Sequence, residues 1–540
     1  MMDKKLHRPL NSRAQSHAAP HSGPSRPAVL CIGGSDSSGL AGLQADARFC
    51  EALNVHCCQV ITAVTAQNNN GVYASSISSI ADCQAQLDAA LSLKPQAIKV
   101  GLIASIEQLN WLCEALPKIN SLPVIFDPVT IASSGQPLAD SNVNKHIAKL
   151  LPHCELISPN LLEAAELSQL AITTEKDIQK TADVFHELGA PWVYIKGGHG
   201  DEQSSLITDI ISHEKHSFAL EQPRQSNTNN RGTGCALASS IAACLALGYD
   251  MVDALVIANM VLAESIQNAE AVNEQKGPVK ACGFPKSHWP HYREFHKNET
   301  TAFDFPDCIG DNCGKDLDTQ NKQNLGLYPV IDSYEWLERL IPLGISTIQL
   351  RIKNLEDSAL KEEIKKSIEL AAQYQCRLFI NDHWQLAIEL GAYGIHLGQE
   401  DAETADFQAI ASSGLRLGIS NHTHFELARC LAINPSYIAC GPVFATDSKE
   451  MPWIPHGIAG LQYWCATLAQ QARPLVAIGG INESNIADVA QCGTSGIALI
   501  SAISKAKNPE AACKQLQKLI DSIQSQASDS RLTLDQQLTQ

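Results

Sequence analysis

Long hydrophobic runs are missing from this 540-residue chain. No apolar stretch reaches the ~18 residues a membrane-spanning helix needs, so no such helix is expected. Positive charge is scarce: 40 Lys and Arg stand against 57 Asp and Glu, for a formal net charge of −17. That balance argues against non-specific nucleic-acid binding, and any phosphate-bearing reactant must be met by local donors in a cleft. Residues 1–27 carry Lys4, Lys5, Arg8, Arg13 and Arg26 among Ser, His, Ala and Pro, without the apolar centre of a secretory signal. Their composition admits an organelle transit peptide; a disordered tail is the expectation. The 18 cysteines are scattered, some inside apolar runs such as Val29-Leu30-Cys31-Ile32. Buried thiols in a reducing, cytoplasmic setting are expected.

What is present is a globular composition, 44% hydrophobic and 18% charged, on a chain long enough for two or three cores. The glycine-rich stretch Arg231-Gly232-Thr233-Gly234-Cys235 runs into the small, helix-prone Ala236–Ala243. Free backbone N–H groups at such a helix start form an anion site, strengthened by the helix dipole. A cysteine in that first turn is expected to have its thiolate favoured. Ala28-Val29-Leu30-Cys31-Ile32 reads as a buried strand entering Gly33–Gly42, followed by a helix over 43–53. No Gly-Lys-Ser/Thr follows, so this is not a Walker A loop. Further apolar runs at 57–65, 97–103, 123–126, 155–157 and 192–195 alternate with helical segments and end in polar or glycine residues. This alternation predicts a layered α/β domain with one cleft at the strand C-terminal ends. Asn160 and Glu163 could both face a Mg²⁺-bound phosphate through waters, or form an ordinary helix cap. Lys196, at a strand end, could reach a nucleotide phosphate.

Seven stretches in order resemble hydroxymethylpyrimidine/phosphomethylpyrimidine kinase, a ribokinase-fold enzyme of thiamine synthesis. They are Gly34–Gly39, Gln44-Ala45-Asp46, Thr62–Asn68, Asp127-Pro128-Val129, Pro159–Ala164, Lys196–His199 and Gly232–Cys235. The resemblance implies ATP-dependent phosphorylation of the pyrimidine hydroxymethyl group and then of the monophosphate. It implies that Gln67 and the Gly34 backbone bind the pyrimidine, that Asn160, Glu163 and Lys196 serve ATP and Mg²⁺, and that Cys235 stands where related sugar kinases place an aspartate base. The amides of Gly232–Cys235, Gly234 included, would hold the transferring phosphoryl group. Leu40 and Ser133 depart from the usual family residues. Leu40 bears on substrate range.

Residues 271–324 lose the strand–helix rhythm. His288, His291, His296, Cys308 and Cys313 occur there without a compact zinc spacing, so a partly ordered linker is expected. From Leu325 eight short apolar runs recur, each ending in polar or glycine residues: 328–331, 347–350, 378–380, 394–397, 415–419, 437–440, 475–478 and 496–500. Helical segments such as 358–373 and 404–411 separate them. That count predicts a (β/α)8 TIM barrel with its site at the strand C-terminal ends and a phosphate site after the last two strands. Asp382 and Asp401 beside Arg351, Lys353 and Lys449 suit Mg²⁺ and a diphosphate. The tail 524–540, rich in Ser and Gln, is expected to fray.

Gln349–Lys353, Asn381-Asp382, His396–Asp401, Gly441–Phe444 with Thr446–Lys449, and Ile478–Ile481 resemble thiamine-phosphate synthase. The resemblance implies that the nitrogen of a thiazole phosphate displaces diphosphate from hydroxymethylpyrimidine diphosphate. Gln349, Arg351, Lys353, Asn381, Gln399, Ser420, Thr446, Ser448 and Lys449 would bind the pyrimidine diphosphate. Asp382 and Asp401 would hold Mg²⁺, and Gly480, Ile500 and Ser501 the thiazole phosphate. The implied organisation is a kinase domain at 28–270 and a synthase domain at 325–523 in one bifunctional enzyme, expected to be a homo-oligomer acting on small molecules, with neither nucleic acid nor membrane as partner. A pyridoxal-type kinase or a non-catalytic pyrimidine-binding first half are the alternatives.

Overall fold

The computed structural model describes residues 25–119, 122–129, 136, 138–199, 203–295, 303–310, 324–446, 454–471 and 473–538. The chain divides into two compact units, with the principal boundary between residues 300 and 301.

The first unit is built on ten strands: β1 (Ala28–Asp36), β2 (His56–Asn68), β3 (Gly71–Ile77), β4 (Ala97–Val100), β5 (Val124–Phe126), β6 (Leu156–Ile157), β7 (Trp192–Ile195), β8 (Leu206–His213), β9 (His216–Pro223) and β10 (His291–Glu294). They form one sheet in the order β10-β9-β8-β7-β6-β5-β4-β1-β2-β3. β7, β6, β5, β4, β1 and β2 pair in parallel; β3 at one end and β8 to β10 at the other are antiparallel. The chain leaves β1 towards β2 on one side, and β4 takes the other side. A crevice opens at such a switch of direction, beyond the strand C-terminal ends. β4, β5, β6 and β7 are short and fully buried, as the unbroken apolar runs require. The layered α/β expectation holds; the antiparallel hairpins at both edges extend it.

The second unit is a closed barrel of eight parallel strands: β11 (Gly326–Ile331), β12 (Thr347–Leu350), β13 (Arg377–Asn381), β14 (Gly394–Leu397), β15 (Arg416–Asn421), β16 (Tyr437–Cys440), β17 (Leu475–Ile478) and β18 (Gly496–Leu499). Each of the eight expected runs is one of these strands. Tyr328, Phe379, Tyr437 and Val476 fill the interior. Large rings need small neighbours in so narrow a barrel. Gly418 supplies one, because a methyl group there would overlap the Tyr437 ring.

The segment 271–324 is not simply a linker. Val279 N donates to the Arg231 carbonyl at 3.0 Å, Gln222 Nε2 donates to the His288 carbonyl at 2.7 Å, and β10 completes the first sheet. Residues 303–310 belong to the barrel unit: Cys308 is buried, its thiol donates to the Ser436 carbonyl at 3.2 Å, and Arg377 Nη1 donates to the Cys308 carbonyl at 2.9 Å. Isolated polar pairs of this kind leave no periodic signature in a sequence. His291 faces Glu221 at 3.3 Å; His296 and Cys313 lie outside the described residues. The tail expected to fray is instead the end of the helix Pro509–Leu538. After its first residue that stretch has no Pro or Gly to stop a helix. The helical segment expected at 404–411 appears as two short helices, Gln399–Ala402 and Phe407–Ser412. Among the described residues no helix is long and apolar enough to cross a membrane.

Gly418→Ala is expected to destabilise the barrel by about 1–3 kcal/mol through overpacking against Tyr437. Denaturant midpoints of the barrel unit would show it.

Candidate active sites

In the first unit, β1 runs into a loop shaped by a single carboxylate. Asp36 is buried and accepts hydrogen bonds from the backbone N–H groups of Ser38 (2.8 Å), Leu40 (3.1 Å) and Ala41 (2.8 Å). Gly39 takes the left-handed conformation there, φ +69°, so Leu40 is accommodated without backbone strain. The helix Thr233–Ala246 starts opposite this loop. Its cap is Gly232, at φ +80°, where a methyl group would sit 2.6 Å from the Leu40 carbonyl oxygen. Only glycine meets both demands.

A cleft of about 610 Å³ lies between these elements. Gly34, Gln67, Asn160, Glu163, Lys196, Gly232, Gly234 and Cys235 all line it, so every site residue expected in the first half converges there. Asn160 and Glu163 form a capping box: Asn160 Oδ1 accepts from the Leu162 and Glu163 amides, and Glu163 Oε2 accepts from the Asn160 amide at 2.8 Å. The cap and the cleft position coexist, because Glu163 Oε2 also lies 4.0 Å from Lys196 Nζ. Burial raises the Glu163 carboxyl above its ordinary value, opposed by Lys196. Lys196 Nζ donates to Asp127 Oδ1 at 2.7 Å.

Asp127 is the residue that sequence reasoning left without a role. It is fully buried, and its Oδ2 has no hydrogen-bond partner among the described residues. A methyl at Gly234 would lie 3.2 Å from both that oxygen and Lys196 Nζ, so the glycine loop packs directly on the ion pair. A buried carboxylate oxygen left open, with Glu163 close by, is a donor set suited to Mg²⁺. Also missed was the buried pair of Lys99 Nζ and Asp46 Oδ2, 2.9 Å apart. Lys99 sits inside an apolar strand run, and only the fold brings Asp46 to it. Burial pushes Asp46 up to about 6 even against Lys99.

Cys235 departs from expectation. Burial pushes its thiol up to about 12; Lys99 opposes that rise, and Asp46 and Asp127 add to it. Desolvation outweighs the helix-start effect, so the residue is a neutral thiol at ordinary pH.

In the barrel, Gln349, Arg351, Lys353, Asn381, Asp382, Gln399, Asp401, Ser420, Thr446, Gly480, Ile500 and Ser501 all lie at or just beyond the C-terminal ends of β12 to β18. Parallel closure places those ends on one rim. Ser448 and Lys449, like Ser133 in the first unit, lie outside the described residues. Asp382 has φ +63°, in the tight turn leaving β13. Gln399 Nε2 donates to the Ser420 carbonyl at 2.7 Å. Gly480 O accepts from Asn482 Nδ2 (3.3 Å) and Asn485 Nδ2 (3.1 Å), which braces the turn after β17. Ile500 caps the short helix Ser501–Ser504 after β18.

A buried hydrogen-bond column beneath this rim was not anticipated. Tyr328 and Tyr437 share a hydrogen bond at 2.8 Å, His396 Nδ1 meets the Tyr437 hydroxyl at 2.7 Å, and His396 Nε2 meets Ser420 Oγ at 2.9 Å. Burial, with Arg351 nearby, pushes the His396 imidazole down to about 3. Its residues are spread over four strands, β11, β14, β15 and β16, and share no spacing in the sequence.

Comparison with known proteins follows the same division. The phosphomethylpyrimidine kinase family model matches residues 36–280, and the thiamine monophosphate synthase model matches residues 327–503. The thiamine-phosphate synthase of Serratia proteamaculans is 51% identical over 197 residues, 36% of this chain and 92% of that protein. The chain belongs to the thiamine-phosphate synthase family. The enzyme of the same description from Yersinia pseudotuberculosis is 50% identical over 200 residues, 37% of this chain and 92% of its own. Among solved structures, phosphomethylpyrimidine kinase from Clostridium difficile 630 is 32% identical over 45% of this chain and all of its own, with a TM-score of 0.40. Pyridoxal kinase from Staphylococcus aureus in complex with pyridoxal is 29% identical over 48% of this chain and 94% of its own, with a TM-score of 0.44. By these family matches the first half is a phosphomethylpyrimidine kinase domain, and the whole a bifunctional transferase of thiamine biosynthesis.

The folded His396 stays neutral, whereas in the unfolded chain it takes up a proton below its ordinary value of 6.5. Its contribution to stability is complete above that value and is lost as pH falls through it. The gap in melting temperature between the native chain and His396→Gln is expected to narrow on acidification; a gap independent of pH contradicts the assignment.

Proposed function

We propose that the first unit phosphorylates 4-amino-5-hydroxymethyl-2-methylpyrimidine and then its monophosphate with ATP, and that the barrel condenses the diphosphate with thiazole phosphate to thiamine phosphate. The observation that carries the first step is the convergence of the glycine loop, the Lys196–Asp127 pair, Glu163 and Cys235 in one cleft. Neighbouring groups of opposite sign, next to free helix-start amides, suit a phosphoryl group in transit. Gln67 and the Gly34 backbone hold the pyrimidine, and the amides of Gly232 to Cys235 hold the phosphoryl oxygens. Asp127, Glu163 and Asn160 would hold Mg²⁺, directly or through waters. A loose phosphoryl-transfer transition state needs little early proton removal, so a neutral Cys235 thiol hydrogen-bonding the reacting hydroxyl is sufficient. That is a positioning role rather than the activated base first expected.

In the barrel, Arg351, Lys353, Asn381 and Lys449 grip the diphosphate, with Gln349, Gln399, Ser420, Thr446 and Ser448 around the pyrimidine diphosphate. Asp382 and Asp401, in the loops after β13 and β14, would hold Mg²⁺. Bound there, the ion would offset charge on the departing diphosphate. The pyrimidine methylene carbon loses diphosphate, and the thiazole nitrogen, held through its phosphate at Gly480, Ile500 and Ser501, forms the new C–N bond. The proposed domain limits are those of the two structural units, about 20–300 and 301–540.

Purified chain given the hydroxymethylpyrimidine, ATP, Mg²⁺ and thiazole phosphate is expected to form thiamine phosphate; failure with preserved turnover of pyridoxal would transfer the first unit to the pyridoxal-type reading. Cys235→Ala is expected to slow ATP-dependent phosphorylation by about 100-fold while synthase turnover of added pyrimidine diphosphate is unchanged. Asp382→Asn is expected to do the reverse, with pyrimidine diphosphate accumulating, as chromatography of the stopped reaction would reveal.

A further inference from the structure

Three cysteines outside the substrate cleft converge from three separate elements of the first unit. Cys31 lies on β1, Cys50 on the helix Gly42–Ala52 and Cys57 on β2, and their three Sγ atoms lie within 4.8 Å of one another. Cys31 and Cys50 are fully buried, and Cys57 is half-buried. Nothing in the kinase chemistry uses them. We propose that Cys31, Cys50 and Cys57 form a three-thiolate site for a soft, thiophilic cation, of which Cu(I) fits the ligand set best.

The geometry is close to what such an ion requires. A metal–sulfur bond of about 2.3 Å places the sulfurs of a planar three-ligand site about 4 Å apart. The thiols therefore need to close by no more than about 0.8 Å. The ligands are all sulfur, which selects soft ions over Mg²⁺. No fourth His, Cys, Asp or Glu among the described residues joins the cluster. Zn²⁺ favours four ligands, whereas Cu(I) is satisfied by three.

The Lys99 ammonium, paired with Asp46, is electrostatically coupled to both Cys31 and Cys57, and the Asp46 carboxylate opposes it at Cys31 and Cys50. Gln59 Nε2 donates to Cys57 Sγ at 3.8 Å. Hydrogen bonds from Cys31 and Cys50 hold the Cys57 thiol well below its ordinary value, whereas Cys31 is raised by its bonds to Cys50 and Cys57. Binding releases the thiol protons to solvent, so no oxidant or reductant is consumed. The half-buried Cys57 provides the way in.

The test is an anaerobic titration of the full chain with Cu(I) against the chelator bathocuproine disulfonate. The native chain is expected to hold one tight equivalent. Cys57→Ser and Cys50→Ser should each weaken it by at least about 100-fold, and Cys282→Ser at an exposed position should leave it unchanged. X-ray absorption on the native, copper-loaded chain needs no variant to fold and should show three sulfur neighbours. A tight equivalent that survives Cys57→Ser and Cys50→Ser, or a two-coordinate or nitrogen-containing environment, overturns the proposal.

Discussion

A parallel strand has to be entered from the same end as its neighbour, so every connection returns and every strand delivers its following loop to one edge. Both halves of this chain depend on that constraint. In the first unit it gathers the loops after β1, β5, β6 and β7 beside the start of the helix Thr233–Ala246. In the second it closes into a ring, and the ends of eight strands share a rim. An acidic chain can thus collect cations, amides and paired carboxylates at two places without changing its overall charge.

Burial then decides what those groups can do. Asp127, Lys196, Asp46 and Lys99 are removed from water and neutralise one another in pairs. Breaking such a pair leaves an uncompensated charge, so the pairs hold the cleft's geometry. The same desolvation keeps Cys235 protonated and His396 neutral. Helix-start and charge arguments made on single residues point in the right place but can misjudge the sign of a shift, because they omit the cost of leaving water.

The two units differ in how much irregular chain they carry. The barrel repeats one strand–helix step, and its strands stand out as short apolar runs. The first sheet adds antiparallel edges, β3 and β8 to β10, whose partly exposed residues give weaker patterns. The described residues up to 295 are held to the first unit, and residues 303–310 to the barrel, by individual hydrogen bonds, so composition alone reads the stretch as a tether.

Glycine loops, strand ends and their polar residues were legible from the sequence by itself, because apolar periodicity and glycine placement follow from local backbone geometry. The layered α/β domain and the barrel came from that local information; the two families, and the ligand roles from Gly34 to Cys235, came from the resemblance of whole motifs. Only the tertiary structure decided which distant groups meet: Asp127 with Lys196, Asp46 with Lys99, His396 with Tyr437 and Ser420, and three cysteines from three elements. Such contacts join residues tens of positions apart, and their energies depend on burial, a property of the packed molecule that no short stretch of chain possesses.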